Sequence, residues 1–270
     1  MTDTYLLGHD ADELQRLEDQ ARVLAPATET ILTLAGIKPG MRVLDLGTGA
    51  GDVALALAAM VGPSGAVVGV DQSATALARA AGRCERQGVN NVTFVCDDLH
   101  TAAVSGPFDA VVGRLVLLYT PDPAVVLERY ASIVRPGGLV VAMEYEMTTA
   151  GLLPSTALSE QVVGWIAEAF RCAGLDPLLG ARLGDVLHAA GLERPTVLGL
   201  QTYVPSGDPI GPRMVTGIIR TLLPVLECTG IATSSEIGID TLQQRIAAVQ
   251  AENDAIFKLP ALVGAWARAD

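Results

Sequence analysis

Residues 43–55 read VLDLGTGAGDVAL. An apolar run carries Asp45 near its end, and Gly47, Gly49 and Gly51 then fall within five positions. The Val/Ala/Leu stretch that follows has helical character. A glycine-rich turn between a strand and a helix lets a ligand approach bare backbone and lays it against the helix N-terminal amides. The stretch therefore predicts a strand–turn–helix unit with a ligand at its turn.

The same alternation continues outward. From Gly40 to about Met147, short apolar runs (MRVLDLG, GAVVGVD, VTFVCDD, FDAVVGR and LVVAMEYE) read as strands. Between them lie helices: DVALALAAMV, SATALARAAGRCERQG ending at Gly88, and DPAVVLERYASIVRPGG, capped by Asp122 with Pro123 at its first position. Strands without polar alternation suit a sheet covered on both faces, which means a parallel, doubly wound α/β fold. A helical segment over about 9–36 precedes this region, with Leu14, Leu17, Ala21, Leu24 and Ile31 near helical spacing. After it come the amphipathic helices TALSEQVVGWIAEAFRCAG and LGDVLHAAG, a strand PTVLGLQTYV, helices over about 212–229 and 235–253, and a last strand within LPALVGAWARA. The expected organisation is an N-terminal helical lid over 1–36, a ligand-binding core over 37–150, and a helical cover over 151–270 that carries the last two strands.

Composition narrows the partners. Half of the 270 residues are apolar and 18% are charged, enough for a large core. A net charge of −12, with no Lys or Arg run longer than one residue, argues against a nucleic-acid partner. Cys84, Cys96, Cys172 and Cys228 are widely spaced, as are His9, His100 and His188, so no metal site is expected. The polar, acidic start is unlike a signal peptide, and GPSG at 62–65 interrupts the most apolar stretch, Val53 to Val70. A soluble cytoplasmic protein acting on a small molecule is expected, with a homodimer as the default assembly.

Glycine turns of this kind hold nicotinamide or flavin dinucleotides, nucleotide phosphates or S-adenosylmethionine. The dinucleotide fingerprint needs a further glycine three positions after the second, but Ala50, Gly51 and Asp52 follow Gly49. Asp52 also lies where a pyrophosphate would have to sit, whereas Asp45 suits a cationic ligand group. A nicotinamide oxidoreductase is disfavoured on both counts.

With these motifs in order, residues 38 to 147 resemble the class I S-adenosylmethionine-dependent methyltransferases, in their bacterial small-molecule branch. The resemblance implies a Rossmann-like, seven-stranded, mostly parallel sheet with S-adenosylmethionine as cofactor. LDLGTGAG looks like the family's cofactor loop, with Asp45 near the methionine ammonium and Gly47, Thr48 and Gly49 against the ligand. VVGVDQS ends in Asp71, which in the family binds both ribose hydroxyls, with Gln72 beside it. VTFVCDDL matches the third-strand motif: Asp98 aligns with the acceptor of the adenine amino group and Leu99 with the backbone donor to the ring. Asp97 stands where glycine is usual. Arg114 falls where the chain passes the methionine part of the cofactor, and Tyr5 is a candidate lid residue over it.

What the resemblance implies chemically is in-line transfer of an electrophilic methyl group, in which positioning and exclusion of water supply much of the rate. GRLV after the fourth strand lacks both the [DN]-P-P-[FY] pattern of amino-group methylators and the acidic ligands of metal-dependent catechol-type enzymes. A metal-independent methyltransferase is the expected class, acting at O, N or C of a hydrophobic metabolite from natural-product biosynthesis. No catalytic residue is assigned; Glu144, Glu146, His9 and Tyr119 are base candidates by chemistry alone. Trp165, Ile166, Phe170, Met214, Ile218, Leu222 and Leu226 are core, some of them expected to line an acceptor pocket. The alternatives are an enzyme of this fold using the sulfonium as a fixed charge for a rearrangement or lyase-type reaction, and a non-catalytic binding module.

Overall fold

The computed structural model describes residues 11–270, with side chains from residue 20 onward. In chain order the elements are α1 (Ala11–Ala35), β1 (Arg42–Leu46), α2 (Asp52–Val61), β2 (Ala66–Asp71), α3 (Ala74–Gln87), β3 (Val92–Cys96), β4 (Phe108–Arg114), α4 (Pro123–Ala131), β5 (Val134–Glu146) and β6 (Gly151–Leu153). There follow α5 (Ala157–Cys172), α6 (Leu179–Ala189), β7 (Thr196–Leu200), β8 (Tyr203–Val204), α7 (Ile210–Cys228), α8 (Ser234–Ile237), α9 (Leu242–Glu252), β9 (Ile256–Lys258) and β10 (Ala261–Arg268).

Local chemistry sets the helix ends. Asp122 accepts from the amides of Ala124 and Val125 at 3.1 and 3.2 Å, and Pro123 supplies a preset φ at the first position of α4. Ser73 caps α3 by accepting from Ala76 N at 3.2 Å, and Gly88, left-handed at φ 67°, closes it.

The chain divides into two units. One comprises residues 25–144, 179–199 and 263–270. It is built on a seven-stranded sheet of order β3-β2-β1-β4-β5-β10-β7, in which the pairings from β3 across to β5 are all parallel. The doubly wound architecture is as expected. Its strands read as continuous apolar runs because both faces are covered: Leu44, Val70, Val111 and Val140 are fully buried, together with Leu183 and Leu187 of α6. The second half of α1 packs closely on β10, where a Cβ at Gly264 would lie 2.5 Å from Ile31 Cγ2. The chain winds from β1 outward to β3 and then returns to place β4 on the other side of β1. The crevice at the carboxyl ends of β1 and β4 is therefore a topological switch point, where open α/β sheets bind ligands.

Among the described residues, the other unit comprises 11–24, 145–178 and 200–262. It pairs α5, α7 and α9 with a small antiparallel sheet of order β6-β9-β8. Gly211 of α7 lies against Phe257 of β9, where a Cβ would come within 2.8 Å of the ring. Two sequence expectations are corrected. The single strand PTVLGLQTYV is two, β7 in the large sheet and β8 in the small one, because Gln201 turns its amide onto the carbonyls of Thr149 and Leu259 at 3.0 Å each. The helix expected over 235–253 is interrupted, because Gly238 adopts a left-handed φ of 62° and ends α8 before α9 begins.

Among the described residues no helix is long and apolar enough to cross a membrane.

Candidate functional site

Four acids and a glycine turn lie at the carboxyl ends of β1, β2 and β3. Asp45, on β1, is 1% exposed and accepts from Thr48 Oγ1 at 2.6 Å. Burial pushes its carboxyl up to about 7, while the Thr48 hydrogen bond and the Arg114 charge hold it down. Asp71, ending β2, takes the Gly49 amide on Oδ2 and the Ser73 amide on Oδ1, each at 2.8 Å. That arrangement fixes the turn to the second strand and leaves each oxygen a further lone pair.

The turn is bare where a ligand would lie. Gly49 has φ 53°, and a Cβ there would meet nothing nearer than Gly47 O at 4.0 Å. Beside it, Gly47 at φ 64° is filled from behind, since a Cβ would lie 2.4 Å from Val116 Cγ2. The open cradle over Gly49 and the acceptor capacity of Asp71 fit a vicinal diol. The buried Asp45 fits a cation.

Beyond β3, Asp97 Oδ1 accepts from the Asp98 amide at 2.8 Å, and Asp98 Oδ1 accepts from the His100 amide at 2.7 Å. Asp98 is thus the cap of a turn over 98–102. Leu99 is held in that turn by its carbonyl, which accepts from Tyr130 Oη at 2.9 Å. Gln72 is exposed at the start of the loop before α3. Arg114, ending β4 across the switch point, donates from Nη1 to Thr28 Oγ1 at 3.0 Å. Among the expected cofactor residues, Tyr5 lies outside the described residues, as does the base candidate His9.

The structure gives other roles to residues weighed in the sequence. Asp52 is ion-paired with Arg83 at 2.6 Å, so its charge is compensated in place. Glycine spacing then disfavours a pyrophosphate without help from Asp52. Glu144 is 1% exposed, and its Oε1 accepts the Val116 and Leu117 amides at 2.9 and 2.8 Å. It braces the loop whose Val116 fills the space behind Gly47. Glu146 similarly accepts from the Thr148 amide at 3.0 Å and from the Thr148 hydroxyl. Each carboxylate holds a turn. Sequence reasoning passed over Ser73, Arg83 and Thr28. Ser73 had a readable signal, as a hydroxyl one residue before a helix; the other two meet their partners only through the fold.

Burial raises the Glu144 carboxyl to about 7 from an ordinary 4.5, against the hydrogen bonds from the Leu117 and Val116 amides. The unfolded chain releases this proton near 4.5 and the folded chain near 7. Below that window both states hold it; within it the folded state binds more protons, so stability falls as pH rises and levels off above 7. At about 1.4 kcal/mol per pH unit, the Glu144 share is on the order of 3 kcal/mol. Urea midpoints across pH 5–8 are expected to rise toward acid and to rise less in Glu144→Gln. Equal slopes for the two proteins count against this role.

The sequence profile of a methyltransferase-domain family matches residues 37–173, half of the chain. Nocamycin O-methyltransferase of Saccharothrix syringae is 31% identical over 186 residues, covering 62% of this chain and 64% of that protein. An arsenite methyltransferase of Halobacterium salinarum is 30% identical over 53% of this chain and 36% of its own length. The chain thus spans less than two thirds of these curated relatives. Among solved structures, the YcgJ protein of Bacillus subtilis superposes with a TM-score of 0.59 at 17% identity, over 91% of this chain and 99% of that one. A SAM dependent methyltransferase from Aquifex aeolicus gives 0.53 at 21% identity, over 73% of this chain and 93% of that one. Both structures share the fold.

Proposed function

Because the chain belongs to the methyltransferase-domain family, we propose that it methylates a small hydrophobic metabolite at oxygen, nitrogen or carbon, without a metal. S-adenosylmethionine is its methyl donor. When bound, it supplies a methyl group made electrophilic by the adjacent sulfonium.

The observation that carries the reading is the set of carboxylates at three successive strand ends around an open glycine turn. Asp71 is the acceptor for the two ribose hydroxyls, beside the bare backbone of Gly49. Asp45, with Thr48 as its hydrogen-bond donor, faces the α-ammonium, and Arg114 carries the opposite charge across the switch point. Asp97 and Asp98 present acceptors to the adenine amino group, and the turn held by Tyr130 presents the Leu99 backbone to the ring. Gln72 borders the ribose side. Tyr5, outside the described residues, is the candidate lid residue.

The hydrophobic character of the acceptor is supported by the other unit. It contains an apolar cavity lined by Met147, Val163, Ile166, Met214 and Ile218, with Gln20 and Tyr145 as its polar members. The nocamycin relative is, by its name, an O-methyltransferase, which supports methyl transfer to a small-molecule acceptor. A cytoplasmic homodimer that binds neither nucleic acid nor membrane completes the proposal.

The test is mass spectrometry of cell extracts incubated with the protein and a methyl-labelled donor. A single apolar product carrying the label is expected; label appearing only in RNA or DNA contradicts the proposal. In calorimetry, Asp71→Ala is expected to weaken donor binding by roughly 1–3 kcal/mol, because two hydroxyls lose a charged acceptor. Unchanged affinity takes Asp71 out of the site.

A further inference from the structure

Three threonines lie close together on α1, and one of them behaves differently. Thr30 and Thr33 donate their hydroxyls back to the Pro26 and Glu29 carbonyls at 2.7 Å each, the ordinary use of a helical threonine. Thr28 is 1% exposed, and its Oγ1 receives Nη1 of Arg114, 86 positions along the chain. Arg114 ends β4, one residue beyond the pairing of Gly113 with Leu46, so its backbone stands level with the start of the glycine turn. On the neighbouring strand the buried Asp45 carboxylate feels the Arg114 charge.

A buried carboxylate and a guanidinium at adjacent strand ends are complementary to one chemical group in particular. An α-amino acid carries an ammonium and a carboxylate on the same carbon, and these two side chains can meet one charge each. The guanidinium is a planar fork that recognises a carboxylate only when its edge is turned correctly. A hydroxyl on one nitrogen fixes that rotation.

We propose that Thr28 is a positioning residue: through its hydrogen bond it orients the Arg114 guanidinium toward the α-carboxylate of the methyl donor, whose ammonium faces Asp45. This rests on the donor site proposed above and adds a specificity to it, discrimination for a carboxylate on the amino-acid end.

The test compares two donors by calorimetry: S-adenosylmethionine and its decarboxylated form, which keeps the ammonium and lacks the carboxylate. Wild-type protein is expected to prefer S-adenosylmethionine. Thr28→Val keeps the shape and removes the hydroxyl. It is expected to weaken S-adenosylmethionine binding roughly tenfold, as for loss of one hydrogen bond to a charged group, while leaving the decarboxylated form within about twofold. Thr28→Ser restores the preference, and Arg114→Gln binds the two ligands alike. A structural role for Thr28 weakens both ligands equally in Thr28→Val, and that result overturns the proposal, as does a variant with wild-type affinities. Should Thr28→Val not fold, Arg114→Gln decides: a retained preference for the carboxylate overturns the proposal. Wild-type protein that binds neither ligand overturns the donor site itself; wild-type protein that binds both equally overturns only the carboxylate assignment.

Discussion

S-adenosylmethionine binding is expected to weaken roughly fifteenfold between pH 7 and pH 5.5, because the Asp45 carboxyl takes up a proton there. Burial holds that carboxyl at about 7 in the free protein. In the proposed site the donor's ammonium needs the ionised form, and an α-amino group keeps its own proton through this range. Each binding event in acid must therefore release a proton from Asp45, and the apparent affinity falls toward tenfold per pH unit below its pKa. Asp45→Asn removes the titrating group. Its affinity is expected to be lower by about 3 kcal/mol, on the order of a hundredfold, and to vary little over the same window. Calorimetry of both proteins at several pH values is the measurement. A variant with the slope of the wild type excludes Asp45 as its source. Folding responds to the same proton with the opposite sign: the free protein gains stability as pH falls from 7 toward 3.8, the ordinary value, because the folded state holds the proton that the unfolded state has released.

The second large effect is steric. Gly47→Ala is expected to destabilise the protein by about 2–4 kcal/mol, combining overpacking with a left-handed backbone that disfavours a side chain. The new Cβ would lie 2.4 Å from Val116 Cγ2 and 2.8 Å from its Cβ, and a branched valine cannot swing aside at its own branch point. Val116 is also pinned from behind, since its amide is held by the buried Glu144. Thermal unfolding should show a midpoint lower by roughly 5–15 °C for a chain of this size. Adding Val116→Ala removes the 2.4 Å contact with Cγ2 but keeps the 2.8 Å contact with Cβ. It should recover part of the packing share and none of the φ 64° share, so the double variant unfolds between the two. Gly47→Ala with a wild-type midpoint contradicts the close approach of turn and loop.

Much of this was legible because the large sheet is buried on both faces. Runs such as VVGV before Asp71 and LVVAM before Glu144 had to be apolar throughout, and the acids that follow them stand out against that background. Asp122 followed by Pro123 announced α4 for a local reason, the cap bonds being made two and three residues away. The small sheet was not legible. Strands of two or three residues, such as Tyr203–Val204 and Ile256–Lys258, are too short to show a period, and their pairing depends on chain about fifty residues apart. Nor did the sequence show how the acids are used. Glu144 reads as a strand-end base, yet its partners are amides 27 and 28 positions earlier. Asp52 reads as an open charge until α3 brings Arg83 beside it. Thr28 carries no local signal at all, since its partner is 86 residues away. Strand ends were readable from composition; the hydrogen bonds that aim them arise only once the strands are placed side by side.

The position of β10 between β5 and β7 has a consequence for how the protein is made. About 115 residues separate the end of β5 from the start of β10. At about 5–20 residues per second, a ribosome needs roughly 6–25 s to bridge that gap. For that time β5 presents an unpaired edge, and β7 has been made before the strand that joins it to the sheet. An exposed strand edge recruits other strands. The nascent chain is therefore most exposed to mispairing after β1 to β5 are already made, and early-arriving β7 is the nearest competitor for the slot that β10 must fill.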